Sequence, residues 1–134
     1  MGKYRELIDG LMRDGKAVKG NYDALVHAGG RARTALTHAL GKHDDDDVRE
    51  MCAEILGIHG SVKVVPALIA ALADASLCVR QDAFWSIEDL CGYRRGGLSD
   101  WLSADFDEPE ALRRETMRWW AINRHYLEDN ISFL

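Results

Sequence analysis

The sequence predicts an all-α protein, an α-solenoid (superhelix) of about four stacked helical hairpins. Three observations predict it. Along most of the 134 residues, apolar side chains recur at three and four, as on one face of a helix. Glycines stand where these periodic stretches stop, at Gly29-Gly30, Gly41, Gly57, Gly60, Gly92 and Gly96-Gly97, and there are only two prolines, Pro66 and Pro109. One pattern occurs four times: two leucines a helical turn apart, a gap, then an aliphatic residue followed by a cation.

Taken in order, Leu7 and Leu11 lead to Val18-Lys19, and Leu36 and Leu40 lead to Val48-Arg49. Leu68 and Leu72 lead to Val79-Arg80, and Leu98 and Leu102 lead to Leu112-Arg113. The first leucines stand 29, 32 and 30 residues apart, a period too steady for chance. The spacing predicts repeats over about 3–29, 31–60, 64–93 and 97–128 within one domain, 1–134. In each repeat the leucines share one face of a first helix. The aliphatic–cation pair opens a second helix, whose apolar positions continue at +4, +8 and +11. In the third copy these are Val79, Ala83, Ile87 and Leu90, and the small Ala83 lets the two helices approach closely. One hairpin cannot bury its own face, so the copies must stack. Val62–Val65 is the one short strand-like run, and Pro66 closes it.

The run from Val64 to Asp74, followed by Val79-Arg80-Gln81-Asp82-Ala83, resembles the HEAT repeat family in its short variety. That variety is similar to the repeats of phycocyanobilin lyases. Val48-Arg49 through Gly60 resembles the second helix of such a repeat. The resemblance is strong over 31–92 and weaker over 1–28 and 98–128, where end repeats would act as caps. It implies a surface of second helices that binds partners, but a fold alone does not give a function.

Composition narrows the class. Hydrophobic residues make up 47% and charged residues 29%, which excludes a disordered or collagen-like chain. No apolar run reaches a membrane span, and MGKYRELIDG has no apolar signal region. Glu6 stands where myristoylation needs Ser or Thr. Cys52, Cys78 and Cys91 form no CxxC pair and read as free thiols, so a cytoplasmic location is expected. Cys52 and Cys91 fall on core positions, which leaves Cys78, before a helix start, as the cysteine to test for reactivity.

Metal and cofactor chemistry are not expected. None of the five histidines is followed by Glu, and no two stand at i, i+4. Asp44-Asp45-Asp46-Asp47 directly precedes Val48. Asp46 or Asp47 is expected to cap that helix, with the others in a solvated loop.

Binding residues are more legible. Trp85 lies six residues past Val79, roughly 240° around the helix, and so points away from the core stripe. With Gln81, Glu88 and Asp89 it forms the expected second-helix binding face. Trp120 aligns with Ile87 and reads as core; Trp119 flanks it. Net charge is −5, from 22 acidic and 17 basic residues, and the excess falls in residues 68–134. The turns within repeats hold Asp14, Asp44 to Asp47, Asp74, Asp105, Asp107, Glu108 and Glu110. The last of them places Phe106 among carboxylates, with Trp101 just upstream, a pattern suited to docking a basic protein. The connections between repeats hold Arg31, Arg33, Lys63, Arg94 and Arg95, a possible anion-binding edge.

The expected function is therefore a non-enzymatic protein–protein interaction module or scaffold. It would bind a partner through the concave face and the acidic edge, one form of this being an antagonist of a basic protein. Two alternatives are a subunit of a bilin-lyase-like enzyme and weak nucleic-acid binding along the basic edge. Five cations are few for nucleic acid at physiological salt.

Overall fold

The computed structural model describes residues 2–12, 17–91 and 107–131, with side chains as far as Leu127. These residues form seven α-helices and no strand. They are α1 (Gly2–Asp9), α2 (Val18–Ala28), α3 (Arg33–Lys42), α4 (Asp46–His59), α5 (Val65–Ala71), α6 (Leu77–Cys91) and α7 (Pro109–Ile131). Three hairpins follow the repeat pattern: α1 with α2, α3 with α4, and α5 with α6. The first helices stack in one row, α1 on α3 on α5. The second helices stack in another, α2 on α4 on α6. The chain is the all-α solenoid that its periodicity predicts. Helix α7 packs against α5, in the row of first helices.

The core lies between the rows. Leu11, Leu36, Leu40, Leu68 and Leu72 are buried, and Leu7 is half-buried. The aliphatic members Val48, Val79 and Leu112 are buried, as is the α6 stripe Val79, Ala83, Ile87 and Leu90. Trp120 is in the core and Trp119 packs partly against it. Leu98 and Leu102 lie outside the described residues.

In the second and third pairs the cation has a structural task that periodicity alone does not disclose. Arg49 Nη1 donates to the carbonyls of His43 (2.8 Å) and Asp44 (3.1 Å). Arg80 Nη1 donates to the carbonyls of Asp74 (2.8 Å) and Ala75 (3.2 Å). Each arginine thus reaches back six and five residues and satisfies the carbonyls of its own turn. The other edge of Arg49 grips the next repeat. Nε and Nη2 donate to the two oxygens of Asp74 at 2.9 and 3.1 Å. That bidentate pair is largely shielded from solvent and joins repeat to repeat.

One local detail is added and one expectation is corrected. The short strand-like run at Val62–Val64 forms a 3-10 turn, capped where Ser61 Oγ accepts from Lys63 N. Pro66 follows in the first turn of α5, where its missing N–H costs nothing. The cap of α4 is Asp45 rather than Asp46 or Asp47: Asp45 Oδ1 accepts from Val48 N at 3.1 Å. Helix α4 begins two residues before Val48, so Asp46 and Asp47 already lie in its first turn and favour its positive end. The N–H of Asp45 donates to His43 Nδ1 (3.1 Å), so His43 Nε2 carries the proton directed at Asp9 Oδ1 (3.0 Å). Among the described residues, no helix is long and apolar enough to cross a membrane. The three cysteines are free. Cys52 and Cys91 are buried, their thiols pushed up to about 12 by burial, whereas Cys78 is exposed.

Candidate functional site

The row of second helices sets α4 and α6 side by side. Gly57 decides how close they come. A Cβ there would stand 2.8 Å from Ser86 Cβ, and Ser86 Oγ donates to the carbonyl of Ala53 at 2.9 Å. This close approach forms the floor of an open groove of about 480 Å³. One wall is Glu50, Glu54 and Ile58, spaced by four along α4. The other is Asp82, Trp85 and Asp89 on α6. Trp85 is 54% exposed and Ile58 is 52% exposed, so two large apolar side chains face solvent inside a rim of carboxylates.

The charges are crowded and of one sign. Glu50, Glu54, Asp82 and Asp89 line the groove, and among the described residues its lining holds no lysine or arginine. Asp82 is pushed up to about 6, first by burial, then by the charge and hydrogen bond of Glu50 and by the charge of Glu54. Across the rim, Tyr22 of α2 donates its hydroxyl to Glu54 Oε1 at 2.6 Å. Burial and the Glu54 carboxylate hold that phenol well above its ordinary value. Four carboxylates around exposed aromatic and aliphatic surface attract a cationic, partly apolar ligand.

The structure brings together some of the expected residues and separates others. Trp85 and Asp89 line the groove, while Gln81 is half-buried on the same helix outside the lining. Glu88 is a correction: it is only 7% exposed and offers no binding surface. Phe84, Glu88 and Cys91 form a second buried row, because α6 is enclosed on more than one side. Burial, and secondarily Asp89, raises the Glu88 carboxyl.

On the acidic edge, Asp45 and Asp74 are engaged in a cap and a salt bridge, whereas Asp107 and Glu108 are exposed ahead of α7. Trp101, Asp105, Phe106, Arg94 and Arg95 lie outside the described residues. On the basic edge, Arg31 donates to the carbonyl of Ala28 (3.3 Å), Arg33 is half-buried and Lys63 is exposed. Asp45, Asp46 and Asp47 place one oxygen each within 4.8 Å of one another, with Asp45 occupied as the helix cap.

Sequence reasoning missed Glu50, Glu54, Ile58 and Asp82. A signal for most of them was present. Val48 and Val79 open equivalent helices 31 residues apart, so Gln81, Trp85 and Asp89 correspond to Glu50, Glu54 and Ile58 one repeat earlier. Carrying the face back by one period finds the second wall.

A family model described as HEAT repeats matches residues 7–88. Comparison with curated proteins gives no match. HEAT repeats generally mediate protein–protein interaction. The matched span runs from Leu7, near the end of α1, to Glu88 in α6, more than half of the chain, and the chain belongs to the HEAT repeat family.

Proposed function

We propose that this chain is a protein-interaction module whose α4–α6 groove docks a basic segment of another protein, with binding rather than catalysis as its task. One observation carries the reading: Glu50, Glu54, Asp82 and Asp89 line one groove around exposed Trp85 and Ile58. Such crowding works against the isolated fold, since Asp82 sits near 6 instead of its ordinary 3.8. A lysine- or arginine-bearing partner would relieve the repulsion, while Trp85 would supply the central apolar anchor typical of binding hot spots. Blocking a basic protein is one use of such a module.

The test is quantitative affinity capture with the wild type, Trp85→Ala and Glu54→Gln as baits. The expected result is a partner with a cationic segment, held by the wild type, depleted by both substitutions and released by salt. If every recovered partner binds the variants as it binds the wild type, the groove is not the docking site.

A further inference from the structure

We propose that the groove between α4 and α6 receives helix α7 of a second copy of this chain. The proposal rests on the groove being a docking surface for cations. Arg114, Arg118 and Ile122 follow one another at four on α7, and all three are exposed. They lie roughly opposite the buried row Leu112, Thr116 and Trp120, at about 100° per residue. Ile122 is 76% exposed, more than Trp85 or Ile58. An isoleucine so placed, in line with two arginines, is an exposed apolar and cationic face.

The row has the order of one wall of the groove. Arg114, Arg118 and Ile122 stand two, six and ten residues after Leu112; Glu50, Glu54 and Ile58 stand two, six and ten after Val48. Both read charge, charge, isoleucine at the same spacing, with opposite sign. Two helices share the same rise, so the match holds along the whole run of about 12 Å. Laid parallel to α4, Arg114 meets Glu50, Arg118 meets Glu54, and Ile122 meets Ile58 beside Trp85. Asp82 and Asp89 then flank the guanidinium groups from α6. The antiparallel orientation would set Ile122 against Glu50 and is disfavoured. Exposed Ala121 adds little bulk to this face, while Glu115 lies at its edge.

Helix α7 does not fill the groove of its own molecule: Leu112, Thr116 and Trp120 are buried and α7 packs on α5, so the arginine row points outward while the groove lies on the other row of helices. Each copy offers one groove and one α7 on different sides, so α7 of one copy in the groove of the next is a head-to-tail contact, which leaves a groove and an α7 for further copies.

Sedimentation velocity of the full chain over a hundred-fold concentration range tests this. The wild type is expected to self-associate with rising concentration, and more weakly at high salt. Glu50→Arg and Arg114→Glu should each weaken the association by about tenfold or more, because like charges then face one another. An equimolar mixture of the two variants should restore it: one kind of contact then pairs Glu50 with Arg114, and the other pairs the two substituted residues with signs exchanged. Unchanged far-ultraviolet circular dichroism shows that each variant still folds. A monomeric wild type, an association indifferent to Arg114→Glu, or a mixture no better than its components overturns the proposal. So does a monomer whose α7 instead binds anionic vesicles or nucleic acid in a manner lost with Arg114→Glu. If the wild type is monomeric while Trp85→Ala and Glu54→Gln still release a captured partner, self-docking fails and the groove reading stands.

Discussion

Asp82 shows how a single position can weaken the fold through crowding of like charges. Burial and the neighbouring Glu50 keep its proton on up to about pH 6, against 3.8 for a free aspartate. Between those values the folded chain binds more protons than the unfolded one, so stability falls as pH rises through about 4 to 6 and stays lower above. Asp82→Asn is therefore expected to raise stability at pH 7, by roughly 1 kcal/mol once solvent screening at this half-exposed site is allowed for. It should also flatten the pH dependence; chemical denaturation at pH 4 and pH 7 checks both. Arg49 is set in the opposite sense. Arg49→Ala strands Asp74 and two turn carbonyls, and should cost about 2–3 kcal/mol. Arg49→Lys should recover only part of that, since an ammonium cannot grip both carboxylate oxygens and the carbonyls at once. Thermal melts of the two variants separate charge from geometry.

At the scale of the helix, the groove depends on how closely α4 and α6 approach. Gly57 has ordinary helical backbone, and what it supplies is space against Ser86. Gly57→Ala would suit the helix by intrinsic propensity, yet it should destabilise the protein by about 1–3 kcal/mol, because the added methyl meets a neighbouring helix rather than solvent. A Gly57→Ala variant more stable than the wild type would show that the two helices separate easily. The repeat was legible at this scale because it needs only spacing: leucines a turn apart, then an aliphatic residue and a cation. The cap of α4 and the turn at Val62–Val64 were less legible. Four successive aspartates all make good caps, and the choice of Asp45 follows from where the helix starts. The valine run reads as a strand until Pro66 is placed in the first turn of the next helix.

Across the whole molecule, stability passes from repeat to repeat, as in any stack whose units touch only their neighbours. Helix α4 is braced by α2, α3 and α6, while α7 packs chiefly on α5 among the described helices. Amide hydrogen exchange should be slowest in the middle of α4 and faster in α1 and α7. Uniform protection along the chain would mean a single cooperative unit.

The charge pattern also takes its meaning at this scale. The repeat pattern predicts carboxylates on one edge and cations on the other. Tertiary structure draws Asp45 and Asp74 into the fold and gathers Glu50, Glu54, Asp82 and Asp89 along the groove.

By itself, then, the sequence determined the helical class, the hairpin period, the outward turn of Trp85 and the core placement of Trp120. Each of these follows from angular position on a helix of known pitch. Only the tertiary structure decided that Glu88 is buried, that Arg49 and Arg80 staple their turns, and that Glu50, Glu54 and Asp82 face Trp85 across a groove. Those facts depend on which helix lies beside which and how closely. Periodicity along one helix fixes where a side chain points, but the neighbouring helix fixes what it meets.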